Sequence, residues 1–297
     1  MTDRYFCGSV VPVILVFLIL VCVSTVAFSQ GDHEKFDPAD PGVVSFTFRH
    51  QFEKDFEGTL DIIKEMGFQH IEFSNLFGYS AEEVRAQIDE RGLRCTSLGV
   101  SYEEAVSNTR SVIERAHILG ARHVRVAWIP HEPPFDLEDV LNAAEDFNKA
   151  GKVFRDAGLK FAYHNHGYEF SPHDDGTLFD VLLRETNPDY VSFQMDVFWV
   201  AHPGHDPAAL LKRYPDRFIS MHLKDLKKGV EGDYSGRAPS RYDVPLGQGQ
   251  VDFPEVLRLA SNTSIEYLYI EDETEDVHER VPLSLAYIRD LLSQKND

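Results

Sequence analysis

Short apolar runs alternate with amphipathic stretches along most of this chain. Each run is too short for a helix and is rich in β-branched and aromatic residues, and four of them lead into His, Asp or Glu. Such runs read as strands buried on both faces. They predict strands at Val43–Arg49, His70–Phe73, Cys95–Val100, His123–Trp128, Lys160–His164, Val191–Asp196, Phe218–Leu223 and Tyr267–Glu271. The segments between them carry a helical period. Helices are predicted at Phe56–Met66, stopped by Gly67, and from Ser80 to near Gly92, where Ser80 and Glu83 form a capping-box pattern. Others follow at Tyr102–Leu119 and Leu137–Ala157, stopped by Gly120 and Gly158, then at Thr177–Glu185, Pro207–Arg213, Phe253–Ala260 and about Arg280–Leu292. A long polar loop runs from Lys224 to Val251.

Strands that alternate with helices imply a parallel sheet. Eight such units favour a closed (β/α)8 barrel, an α/β TIM barrel, over an open doubly wound sheet. No Gly-x-Gly-x-x-Gly follows the first strand, which weakens a Rossmann reading. Gly247-Gln248-Gly249 comes late and precedes Asp252, so it is not a phosphate cradle. The chain has 297 residues, and a barrel of this kind typically needs about 250. One domain, 43–292, accounts for nearly all of it.

The first residues differ in kind. Arg4 precedes an apolar stretch from Val10 to Val26, and Ala27-Phe28-Ser29 offers the small residues that a signal peptidase reads. Residues 1–29 are therefore expected to be a cleaved signal peptide, with 30–42 a polar linker and the mature protein periplasmic or extracellular, without stable membrane association. An uncleaved anchor is the rival reading, since the run is near the roughly 17-residue lower limit for a span. Cys7 and Cys22 lie in the leader, so Cys95 is left alone and reads as a small buried hydrophobe. Acidic residues outnumber basic ones by 49 to 29, giving a formal charge of −20. Phosphate binding needs a basic surface, so a nucleic-acid partner is excluded. A divalent cation tolerates this charge, and a homo-oligomer is compatible with it.

The strand ends carry the chemistry. Asp196, His222 and Glu271 close the sixth, seventh and eighth strands. Neighbouring strands lie about 4.8 Å apart, so residues at their ends can share one ion. Two carboxylates and an imidazole suit Mn²⁺, Co²⁺, Zn²⁺, Fe²⁺ or Mg²⁺. A fourth ligand is expected from the fifth strand, at Glu169, His164 or His166. His202, on the loop after the sixth strand, is placed to touch substrate, and Lys224 is placed to polarise a carbonyl or hydroxyl. Trp128 and Trp199 would wall a sugar pocket, and Glu72 would bond a polyol.

Taken together, Tyr163-His164-Asn165-His166-Gly167-Tyr168-Glu169-Phe170, Met195-Asp196, His202-Pro203-Gly204, Met221-His222-Leu223-Lys224-Asp225, the segment Pro245 to Asp252 and Ile270-Glu271 resemble the xylose isomerase-like (β/α)8 barrels, the sugar phosphate isomerase/epimerase superfamily. The resemblance spans roughly Val43 to Leu292. It implies a divalent ion held by Glu, Asp, His and Glu from the fifth to eighth strands, and so Asp196, His222 and Glu271 directly. Many relatives carry Glu where this chain has His164; Glu169 is taken as the ligand and His164 as a substrate contact. The implied reaction is isomerisation or epimerisation of a sugar or keto-polyol by removal of a proton alpha to a carbonyl. Glu271 and Glu169 would be the acid/base pair, with Lys224 and His166 steadying the oxyanion. Dehydration or lysis of a keto-sugar or inosose is the alternative, and a non-catalytic carbohydrate-binding barrel is the alternative of another class. The expected leader is checked by N-terminal sequencing of the mature protein, which should begin near Gln30; an intact Met1 on cytoplasmic protein would contradict it.

Overall fold

The structure, a computed structural model, describes residues 1–3 and 40–293. The chain divides into two units, Met1–Lys35 and Phe36–Asp297. The predicted leader and most of the predicted linker lie outside the described residues. Among the described residues no helix is long and apolar enough to cross a membrane.

The second unit is a closed barrel of parallel strands. In chain order these are β1 (Gly42–Val44), β2 (His70–Phe73), β3 (Arg94–Val100), β4 (His123–Val126), β5 (Lys160–His164), β6 (Val191–Asp196), β7 (Phe218–Leu223) and β8 (Tyr267–Ile270), with β8 closing on β1. The helices are α1 (Phe56–Glu65), α2 (Ala81–Glu90), α3 (Thr109–Leu119), α4 (Leu137–Asp156), α5 (Leu178–Glu185), α6 (Pro207–Arg213), α7 (Phe253–Ala260) and α8 (Val277–Ser293). Side-chain caps begin most of them. Ser80 and Glu83 form the expected capping box on α2, and Asp136 and Thr177 do the same for α4 and α5.

Three predicted elements differ. The first strand is short: Ser45–Phe48 turns into a 3₁₀ helix and Gly42, read as linker, already pairs with Tyr269. The helix expected at Tyr102–Leu119 is two helices, Tyr102–Ser107 and α3, broken at Asn108. The reason is local. Ser101 caps the first piece in its own capping box with Glu104, and Asn108 leaves helical backbone geometry. A further short helix, Val197–Ala201, springs directly from β6, because Asp196 accepts bonds from the backbone of Phe198 (2.8 Å) and Trp199 (3.1 Å).

The apolar core lies between the barrel and its helices. Phe161 and Tyr163 of β5 meet Phe147 of α4, and Phe193 of β6 meets Phe179 of α5. The alternate residues on β6, Ser192, Gln194 and Asp196, are polar, and on β5 they include Ala162 and the buried His164, because successive side chains on a strand leave opposite faces. The barrel interior is accordingly a hydrogen-bonded layer in place of the branched aliphatic filling usual in this architecture. Glu72 of β2 sits at its centre. Arg125 of β4 donates to Glu72 through Nε (3.1 Å) and Nη2 (2.9 Å), and Gln194 of β6 donates to its other oxygen at 2.8 Å. Lower down, Thr96 and the hydroxyl of Tyr269 are 2.7 Å apart. Breaking a buried ion pair leaves a charge without a partner, at a cost of about 3–5 kcal/mol. Arg125→Ala should therefore lose about that much in denaturant unfolding; a loss below about 1 kcal/mol would contradict a buried charge pair at this position.

Candidate metal and substrate site

The mouth of the barrel is built by strand register. Asp196 of β6 pairs with His222 of β7, and His222 in turn lies opposite Tyr269 of β8, two residues before Glu271. Glu271 is anchored by its own backbone N–H, which donates to Leu223 O at 3.0 Å. His164 ends β5 opposite Gln194. His164, Asp196 and His222 each present a ligand atom, and these atoms lie within 4.8 Å of one another. Glu271 joins them: its Oε2 is 2.5 Å from His222 Nδ1.

The electrostatics are those of a site that needs a cation. Asp196 is fully buried, and its Oδ2 has no hydrogen-bond partner. It faces His164 Nε2 at 3.7 Å. An orphaned buried carboxylate oxygen is costly, and burial pushes the Asp196 carboxyl up to about 7. Burial likewise drives His164 well below the ordinary imidazole range, which favours the neutral ring a ligand requires. For His222 burial acts downward too, but Glu72 and Glu271 on either side outweigh it and raise the ring to about 9. Burial would raise Glu271, yet Lys224 and His222 hold it well below the usual carboxylate range. Two imidazoles and two carboxylates, one with a bare oxygen, fit a divalent cation.

A cavity of roughly 530 Å³ opens above these residues, walled by Trp128, Asn75, Arg125, His166, Glu271 and Glu273 among others. Its volume lies in the range of small-molecule sites. Trp128 stands in its wall, stacked with His131 and edge-on to His166. The Nδ1 of His166 is buried without a partner. Lys224, expected to polarise a substrate carbonyl or hydroxyl, lies instead beneath and outside the cavity lining, contacting Glu271 Oε1 at 3.2 Å and Glu273 in a shorter ion pair.

Five further expectations need correction. Glu169 does not join the His164, Asp196 and His222 cluster. Gly167 adopts a left-handed backbone (φ +96°), where a Cβ would come within 3.1 Å of Trp199 O. This turn starts the 3₁₀ helix Tyr168–Phe170 and returns Glu169 to the side of β5 that faces the helices. There Glu169 accepts from Tyr163 OH and from the backbone N–H of His166 (3.0 and 3.1 Å), so it braces the loop. The fifth-strand contributor is His164, which had been read as a substrate contact. Glu72, expected to bond a polyol, is wholly buried below the cavity, with its acceptors taken by Arg125, Gln194 and His222. His202 is packed between Phe198 and Tyr242, its ring against Gly232, outside the cavity lining. Trp199 is also outside that lining; it backs His166 and lies over the Lys224 ammonium.

The sequence reading missed Arg125 and Gln194. Each carries a signal in hindsight. A charged or amide residue at an alternate position inside an apolar strand must face a polar partner. Gly247 and Gly249 also have an assigned role: with Val251 they donate backbone bonds to Asp225, at 2.9, 2.7 and 3.2 Å, and so pin the long loop.

With this geometry in place, comparison with known proteins gives a consistent picture. A family model for the xylose isomerase-like TIM barrel matches residues 60–291. An inosose dehydratase of Clostridium perfringens is 26% identical over 254 residues, covering 74% of this chain and 83% of the relative. Among solved structures, a sugar phosphate isomerase/epimerase from Parabacteroides distasonis superposes with a TM-score of 0.68 at 21% identity, covering 88% of this chain and 98% of the other. A crystal structure of IOLI protein with a bound zinc atom superposes with a TM-score of 0.66 at 14% identity, covering 86% and 98%. Metal analysis checks the placement of ligands. His164→Ala and Asp196→Ala should lose most bound divalent metal, whereas Glu169→Gln should keep it. Loss in Glu169→Gln with retention in His164→Ala would reverse the assignment.

Proposed function

The chain belongs to the xylose isomerase-like TIM barrel family, and on that premise we propose that it is a divalent-metal-dependent enzyme acting on a keto-polyol. The reaction begins with removal of a proton alpha to the carbonyl. The carrying observation is the buried set His164, Asp196, His222 and Glu271 beneath an open cavity, with one carboxylate oxygen left bare. Dehydration is the favoured outcome, because the curated relatives are named inosose dehydratases. This reverses the order suggested by sequence, which put isomerisation or epimerisation first. A leader on residues 1–29 would put the substrate outside the cytoplasm and favour an unphosphorylated one.

A divalent cation, when bound, supplies Lewis-acid polarisation of the substrate carbonyl. The chain's own residues supply the rest. Glu271 lines the cavity and is held ionised by Lys224 and His222, so it is the group that accepts the alpha proton. His166 also lines the cavity, and burial lowers it to about 3, so it presents a neutral ring with a bare Nδ1. It is placed to hydrogen-bond the oxygen on which charge develops. In dehydration the proton taken by Glu271 is passed to the beta hydroxyl, which leaves as water as a carbon–carbon double bond forms next to the carbonyl. In epimerisation the proton returns to the same carbon. Lys224 does not reach substrate; it orients Glu271 from below. Trp128 offers an aromatic face to the C–H surface of the ring.

Glu271→Gln keeps the size and one oxygen but removes the basic group. Proton transfer contributes typically 10²–10⁴-fold, so turnover of an inosose or free keto-sugar should fall by about that much while binding falls far less. Product analysis, with exchange of substrate hydrogen in deuterated water, separates dehydration from epimerisation. Binding of such sugars without turnover or exchange would replace the enzyme with a carbohydrate-binding barrel.

A further inference from the structure

We infer that Glu72 is a positioning residue that fixes, for both imidazoles at the site, which ring nitrogen is held by a protein acceptor and which one faces the ion. The metal part of this inference rests on the reading above; the hydrogen-bond part stands on the geometry alone.

The argument runs through one carboxylate. Glu72 has no solvent exposure and receives two bonds from the Arg125 guanidinium, which fixes it as a carboxylate that can only accept. Its Oε1 lies 2.7 Å from His222 Nε2, so that nitrogen must carry a proton. The other ring nitrogen, Nδ1, is turned to Glu271 Oε2; without metal its N–H donates to that carboxylate, and this is the proton that a bound ion would displace. Glu72 Oε2 lies 2.8 Å from the side-chain amide of Gln194. An acceptor there requires the NH₂ end of Gln194, which also reaches Ser220 Oγ at 3.0 Å. The amide orientation is thereby settled, and Gln194 Oε1 faces His164 Nδ1 at 2.9 Å. An amide oxygen can only accept, so His164 Nδ1 carries the proton and its Nε2 lone pair points to Asp196 Oδ2, 3.7 Å away. Ligating histidines are held by outer partners of this kind, and loss of such a partner typically lowers metal affinity about 10–100-fold. In this chain one carboxylate serves both rings, directly for His222 and through Gln194 for His164.

A glutamine at position 72 has the same shape but one donor end. If its NH₂ faces Gln194, that amide must turn over and present NH₂ to His164, which then protonates Nε2. If its NH₂ faces the other way, it opposes Arg125 and the Nε2–H of His222. Either arrangement disturbs one ring at its metal-facing atom.

The test is nitrogen NMR of ¹⁵N-histidine-labelled, metal-stripped protein, with His164 and His222 assigned by loss of signal in His164→Gln and His222→Gln. It is followed by Zn²⁺ and Co²⁺ titration. In the wild type His164 should show protonated Nδ1 and bare Nε2. In Glu72→Gln at least one of the two rings should change its protonation pattern, and metal affinity should fall about 10–100-fold. Gln194→Met leaves the Glu72–Arg125 pair intact, in case Glu72→Gln does not fold. It should free the His164 tautomer while leaving His222 unchanged. Unchanged patterns for both rings in Glu72→Gln, or for His164 in Gln194→Met, would overturn the inference. So would metal binding as tight as in the wild type. If the wild type shows the stated tautomers but takes up neither metal, the metal reading falls and the hydrogen-bond relay remains.

Discussion

A carboxylate cut off from water cannot be left alone, and Glu72 is such a group at the centre of this barrel. Burial alone would raise its pKa; the Arg125 guanidinium and the His222 ring outweigh that and hold it well below the usual carboxylate range. Every partner it recruits comes from a different strand: Arg125 from β4, Gln194 from β6 and His222 from β7. The need to satisfy one charge therefore ties strands that are not neighbours across the interior. A filling of branched aliphatic side chains would give comparable packing, but it would not fix the rotation of the rings above it.

The arrangement separates two tasks. Stability comes from the apolar shell between strands and helices, where residues such as Phe147, Phe161 and Phe193 are wholly or almost wholly buried. The interior is left to polar residues that would each be a liability singly. They are tolerated because nearly every donor and acceptor is matched. The exceptions include Ser97 Oγ, His123 Nδ1, His166 Nδ1 and Asp196 Oδ2, the last being the one unmatched buried carboxylate oxygen among the described residues. An unmatched carboxylate oxygen marks the place where a cation would be most welcome. The Lys224 side of the site follows the same logic. Lys224 is buried among Glu271, Glu273 and Asp243, and the acidic groups raise it well above the usual ammonium range although burial acts the other way. A lysine in that state orients carboxylates and does not exchange protons.

Much of this was legible in the chain because strand periodicity is a local property. Asp196, His222 and Glu271 end their runs at the same phase, and the structure puts their groups at one mouth. Glu169 was not legible, because its position depends on the left-handed turn at Gly167, which a count of residues past the strand end does not reveal. Glu72 was noticed for its charge but placed one layer too high; depth within a barrel is set by strand stagger, and β2 carries a register shift between Ile71 and Glu72. His202 was misread because its partner, the backbone near Gly232, comes from a long loop with no periodic signal.

The central claim is that the polar interior holds a divalent cation between β5, β6, β7 and β8. Anomalous X-ray diffraction from crystals grown with Zn²⁺ or Co²⁺ tests it most directly. The account predicts one strong anomalous peak within bonding distance of His164, Asp196, His222 and Glu271, with Glu72 on His222 behind it. A peak at Glu169, or full occupancy elsewhere with these side chains unliganded, would contradict it.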